Sequence, residues 1–227
     1  MAAFKAFLNA LSLSAALCLI YVKVLAPHYH LKYSDKTYRK ATDPEVFIML
    51  LACMACLWPL CFKFSSGGWD FWAIPICIFT LTASFVDFNY RKIPNELVML
   101  ILIISCALSI YRTIAYNDFN YLFRAISGGI GAIAPLIAAV LLLEKGIGTG
   151  DIKLMFALGV YLGAPAAVHF FAVAFILAFA VAIVLLAMKK AGRRSKIVMG
   201  PFIACSFVIS IYFDYFFESL NLYLRLR

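Results

Sequence analysis

At 227 residues, 65% hydrophobic and only 14% charged, with a mean hydropathy of +0.96, the chain carries more apolar surface than a soluble domain of its length can hide. Its net charge of +9 does not point to nucleic acid, because Lys and Arg sit mostly in short segments between apolar runs, where membrane topology accounts for them. What remains is an all-α, polytopic helical membrane protein, and the lipid bilayer is its first partner.

Residues 6–26 form the first apolar run, close to the roughly 20 residues a spanning helix needs. Lys23 falls in its last turn, where it can snorkel to the interface. Val24-Leu25-Ala26 would be a poor cleavage site with Pro27 behind it, so an uncleaved helix is expected. Residues 27–45 are polar. His28 and His30 there have no third ligand in sight, which favours a solvated loop over a metal site. The second run, 46–64, contains Cys53-Met54-Ala55-Cys56. With no second pair and apolar neighbours, packing explains it better than zinc or redox chemistry. The other cysteines also lie mostly within apolar runs and give no disulfide framework.

Ser65-Ser66-Gly67-Gly68 is a turn. Run three, about 71–86, opens on the interfacial aromatics Phe71 and Trp72 and is expected to end immediately before Asp87. Pro94 disfavours helix at Ile93 and suits the first turn of a new helix, so run four is expected over about 97–116. Asp87 then sits beside Arg91 and Lys92, either solvating a helix end or forming part of a site. After a polar connection at 117–123, run five (about 124–143) carries Gly128, Gly129 and Gly131, which permit close helix packing.

Between runs five and six lies Glu144-Lys145-Gly146-Ile147-Gly148-Thr149-Gly150-Asp151-Ile152-Lys153-Leu154. Irregular backbone at membrane depth survives only where protein or a watery cavity satisfies it, and an ionisable residue there is a functional candidate by default. The other reading is a glycine turn with an interfacial acid. Run six, Asp151 to Gly163, is short: its helical residues rise roughly 18 Å, less than the roughly 30 Å hydrocarbon core. Asp151 then lies below the membrane surface, or the segment is tilted in a thinned region. Run seven is about 166–188 and is followed by Lys189, Lys190, Arg193, Arg194 and Lys196, a stop-transfer cluster. Met199-Gly200-Pro201-Phe202 opens run eight, about 199–217.

The pattern predicts about eight transmembrane helices: a hairpin over 1–68, a membrane core over 69–217 and a short tail over 218–227. Basic residues concentrate in the segments 27–45, 87–96, 144–151 and 189–198. Those segments are therefore expected inside and both termini outside. Asp87 and Asp151 fall on one face of the membrane. Two carboxylates so placed suit aspartic proteolysis, in which one takes a proton from water while the other donates to the peptide carbonyl. Close like charges force their titrations apart, so they share one proton.

Asp87 with Ile93-Pro94-Asn95, then Gly148-Thr149-Gly150-Asp151-Ile152-Lys153-Leu154, then Met199-Gly200-Pro201-Phe202, resembles the bacterial type IV prepilin peptidases, GxGD-type intramembrane aspartic proteases, over roughly residues 69–217. The resemblance implies an enzyme of the bacterial inner membrane that cleaves the short basic leader from prepilins or pseudopilins at the cytoplasmic face, typically after a Gly, without metal or organic cofactor. It assigns Asp87 and Asp151 as the catalytic pair. Gly148, Gly150, Lys153, Pro94, Asn95, Gly200 and Pro201 become residues that bind substrate or shape the site. Large bifunctional members carry a cytoplasmic insertion, often with two C-x-x-C pairs, associated with methylation of the new N-terminus. Here the first inward loop is short, so a peptidase without methyltransferase activity is implied, similar to the compact Flp/Tad-type members but with an extra N-terminal hairpin. The sequence leaves the oligomeric state open.

Two other readings compete. A presenilin-like or signal-peptide-peptidase-like protease shares GxGD, but no Pro-Ala-Leu motif stands in the final helices. A secondary transporter would use the two acids as an ion site and should show broken helices in two related halves; the chain has one glycine break and no convincing internal repeat.

Overall fold

The computed structural model describes residues 73–143, 148–188 and 198–211. The expected hairpin over 1–68, His28 and His30, Cys53 and Cys56, Phe71 and Trp72, the residues Glu144–Ile147, the basic cluster from Lys189 to Lys196, and the tail over 218–227 lie outside these residues. Everything described is helix or short connection. The chain divides into two compact units, Met1–Lys92 and Ile93–Arg227, and each is taken by itself.

In the first unit the described element is α1 (Ala73–Tyr90). It is buried on more than one side: Ile76, Leu81, Ala83 and Val86 are joined inside by Thr80, Thr82 and Ser84. Apolar character all round is what a buried helix shows. Thr80 and Thr82 return their hydroxyl protons to the carbonyls of Ile76 and Ile78, at 2.7 and 2.8 Å, so their polarity is satisfied within the helix. The expected end of this run before Asp87 is corrected: the helix continues through Tyr90, placing Asp87 within its last turn. The carbonyl of Asp87 accepts the amide of Arg91 at 2.7 Å, and Arg91, at φ 52°, is the residue that turns the chain away. A left-handed residue stops a helix.

The second unit holds α2 (Asn95–Tyr116), α3 (Asn120–Leu143), α4 (Thr149–Leu162), α5 (Ala166–Ala187) and α6 (Gly200–Ile211). Two starts come earlier than the sequence pattern suggests. Pro94 caps α2 instead of lying in its first turn, and its carbonyl accepts the amide of Val98 at 3.3 Å. The connection before α3 shrinks to 117–119. Asn117 closes α2 in the left-handed region at φ 50°, and the Asp118 carboxylate accepts the amide of Asn120 at 2.9 Å, an Asx cap that restarts the helix at once.

The short helix α4 is the hub. It packs against α2, α3 and α5 and buries Leu154, Met155, Ala157, Leu158, Gly159, Val160 and Tyr161. Tyr161 and Phe170 of α5 both meet Phe207 of α6, at ring separations of 5.8 and 6.5 Å. The backbone of α3 crosses α4 at close range. A Cβ on Gly128 would lie 2.5 Å from the Gly159 carbonyl oxygen and 2.5 Å from the Gly163 Cα, and one on Gly159 would lie 2.7 Å from the Ala132 Cβ. Small residues four apart on both helices make this approach possible.

Four helices are long and apolar enough to cross a membrane among the described residues: α1, α2, α3 (over Asn120–Ala138) and α5. The 14 residues of α4 rise only about 21 Å, too short to span the hydrocarbon core. Ile176, Phe179, Ile183 and Val184 of α5, with Ile103, Ile110, Ile114 and Phe123 of α2 and α3, face outward. So large an apolar exterior is tolerable in lipid rather than water.

Candidate active site

Two chain segments meet at the start of α4. The first is Ile93-Pro94-Asn95. Pro94 is buried, with φ −66° and ψ 125°; its ring fixes φ and makes this a rigid post at the head of α2. The second is Gly148-Thr149-Gly150-Asp151. Gly148 caps α4 with φ −57° and ψ 123° and contributes no side-chain hydrogen bond. Its carbonyl accepts the amides of Asp151 and Ile152 at 3.1 and 3.3 Å.

Asp151 is the third residue of α4 and half-buried. Its side chain folds back over the cap: a Cβ on Gly148 would stand 2.7 Å from the Asp151 Oδ2. Only glycine leaves room for that carboxylate position. A carboxylate in the first turn also sits favourably in the field of the helix N-terminus. One residue away, a Cβ on Gly150 would be 3.1 Å from the Cβ of Ile93, so the second glycine is where the α2 segment lies against α4. The Lys153 ammonium donates to the Asn95 Oδ1 at 3.3 Å.

The structure thus brings together Gly148 with Asp151, Gly150 with Ile93, and Lys153 with Asn95, all within the second unit. Asp87 belongs to the first unit, where it is 7% exposed. Gly200 and Pro201 form the first turn of α6, whose amides at Phe202 and Ile203 both donate to the Met199 carbonyl at 3.1 Å. That turn suits Pro, which has no amide to offer. The ring contacts seating α6 are made at Phe207, against the far end of α4 from Asp151.

Three contributions escaped the sequence reading. Ile93 was seen as part of a motif, not as the surface on which Gly150 rests. Gly159 and Ala132 complete the α3–α4 crossing; the spacing of Gly128 to Ala132 and Gly159 to Gly163 was a visible signal. Arg124 stands in no motif of the sequence. Its carbonyl accepts the Ala164 amide at 3.0 Å and its Nε donates back to the Ala164 carbonyl at 3.1 Å, clamping the α4–α5 connection.

These elements define a helical membrane protein with a carboxylate set in a glycine-framed helix start that is seated on a second segment, Ile93-Pro94-Asn95. The profile of the type IV leader peptidase family matches residues 74–183, a stretch containing Asp87, Ile93-Pro94-Asn95 and Asp151. Over that stretch, just under half of its length, the chain is similar to the type IV leader peptidases, a family of proteases. Comparison with curated proteins and with solved structures found no match.

Proposed function

We propose that this protein is an aspartic prepilin peptidase that uses Asp87 and Asp151 together to remove the short basic leader of type IV prepilins or pseudopilins at the cytoplasmic face of the bacterial inner membrane. The observation that carries the reading is the seating of Ile93-Pro94-Asn95 on Gly150 and Lys153. It joins two of the motifs by which the chain resembles prepilin peptidases into one structural unit around Asp151, inside the stretch that the family matches.

In this reading one carboxylate takes a proton from water as the water oxygen attacks the scissile carbonyl. The other, protonated, gives its proton to the carbonyl oxygen. Collapse of the tetrahedral intermediate transfers a proton to the leaving amide nitrogen as the C–N bond breaks, and the pair recovers its single shared proton. The chemistry calls on the two carboxylates and water alone. The outward apolar faces keep the enzyme beside a substrate that is itself a membrane helix, and the inward Lys and Arg excess orients the carboxylates to the cytoplasm. The expected short inward loops are the basis for a compact peptidase without methyl transfer.

The test is purified enzyme in liposomes with a prepilin carrying an intact leader, in the presence of S-adenosylmethionine. Mass spectrometry should find the leader released and the new N-terminus unmethylated. A protein that leaves the prepilin whole but dissipates an ion gradient in the same liposomes would be a transporter, and the reading would fall.

A further inference from the structure

The first turn of α4 holds two glycines, at positions where other residues would favour the helix more. Gly148 provides no side-chain cap, and Gly150 is among the weakest helix formers. Yet this turn carries the carboxylate, which must be held to a fraction of an ångström for chemistry. The neighbouring start of α2 is rigid: Pro94 is buried, fixed in φ, and hydrogen-bonded through its carbonyl to Val98 at 3.3 Å.

The two starts touch at two points. Gly150 lies against Ile93, and the Lys153 ammonium reaches the Asn95 amide oxygen. Gly150 and Lys153 are three residues apart and share one face of the helix; Asp151 stands about 100° around from Gly150. Holding the Gly150–Lys153 face against Ile93 and Asn95 therefore sets the rotation of the turn and, with it, the direction of the Asp151 carboxylate. The apolar contact alone allows the turn to roll about Ile93. The hydrogen bond, charge-assisted on the lysine side, supplies the second point that prevents it.

We infer that Asn95 and Lys153 are a positioning pair: their hydrogen bond latches the glycine-weakened start of α4 to the proline-braced start of α2 and so aims Asp151. The inference rests on the proposed peptidase reading for its kinetic consequence, and on the structure alone for its mechanical one. Neither side chain is asked to touch substrate.

Four variants test it in the full-length protein: Asn95→Ala, Lys153→Met, the two combined, and the exchanged pair Asn95→Lys with Lys153→Asn, which restores a donor and an acceptor with their places reversed. With prepilin as substrate, each single variant should lower kcat by roughly tenfold or more while KM stays within about twofold. The combined variant should be no worse than the poorer single, and the exchanged pair should recover most of the loss. Amide hydrogen exchange at Thr149–Ile152 should quicken in the single variants and slow again in the exchanged pair. Unchanged kcat and exchange in both singles, a loss confined to KM, or an exchanged pair as poor as the combined variant would each overturn the latch. If the unaltered protein does not cleave prepilin at all, the peptidase reading fails, and the exchange rates alone decide the latch.

Discussion

The two ends of α4 use glycine in opposite ways. At its far end Gly159 and Gly163 meet Gly128 and Ala132 of α3, and what an added Cβ would strike is mostly backbone: the Gly159 oxygen and the Gly163 Cα and C for a side chain at 128, the Gly128 oxygen for one at 159. Backbone does not step aside, so this end is closed and defined by steric fit. At the near end an added Cβ on Gly148 would strike the carboxylate of Asp151, and one on Gly150 would press on Ile93. The carboxylate is the far end of a flexible side chain and can move, while the Ile93 Cβ is fixed to its backbone and would shift the helix start; either movement disturbs function before it disturbs the fold. The same residue type therefore marks assembly at one end of a 14-residue helix and geometry of a carboxylate at the other.

The sharpest division should come from the acids. Asp87→Asn and Asp151→Asn keep size and much of the hydrogen bonding but cannot exchange the proton that the chemistry needs. Each should abolish prepilin cleavage, and the double variant should be no worse than either, since members of one catalytic unit are strongly non-additive. Immunoblots of membrane fractions should find all three proteins at near-normal abundance; near-wild-type cleavage by either single variant would return that acid to a role at a helix end.

Gly128→Ala should act in the reverse sense. Its methyl would sit 2.5 Å from the Gly159 oxygen and the Gly163 Cα, forcing α3 and α4 apart. Inserted, protease-resistant protein should fall several-fold, and whatever remains should be impaired in proportion to its loss of fold.

Gly148→Ala comes next. The new methyl competes with Asp151 Oδ2 for one position, 2.7 Å apart, and the flexible side chain is what yields. Cleavage per inserted molecule should drop by about tenfold or more with abundance unchanged. Equal losses of abundance and activity would erase the distinction between the two ends of α4.

The smallest effect is expected at Gly131, close in sequence to Gly128 but not in role. A methyl there would meet only the Val168 Cγ2 at 3.6 Å, ordinary contact, and alanine is the better helix former by about 1 kcal/mol. Gly131→Ala should leave cleavage intact and hold or slightly raise thermal stability in detergent, read by the melting of tryptophan fluorescence.

Much of this protein could be read without coordinates. The apolar runs over α2, α3 and α5 are legible because a spanning helix must satisfy its backbone internally and present apolar side chains to lipid, a demand that each segment meets alone. The glycine-framed Asp151 and the proline before Asn95 were legible for a similar reason: backbone freedom and backbone restriction are local properties. Helix ends were not. Asp87 looked like the residue after a helix because the apolar run stops at Val86 and Pro94 follows, yet the turn from Asp87 to Tyr90 stays helical, and only Arg91 departs from it.

Length, apolar content and charge pattern determined by themselves that this is a helical membrane protein, and its motifs carried the resemblance to the type IV leader peptidases. Tertiary structure alone decided that the short α4 is the hub of its unit, that Gly128 and not Gly131 is the close-packed glycine, and that Ile93 and Asn95 reach Gly150 and Lys153. The physical reason is one of range. Hydropathy, helix breaking and capping act between neighbours in the chain. Which small residue faces which backbone, and which lysine finds which amide, depends on the rotation of one helix against another, and that is settled only when residues far apart in sequence pack together.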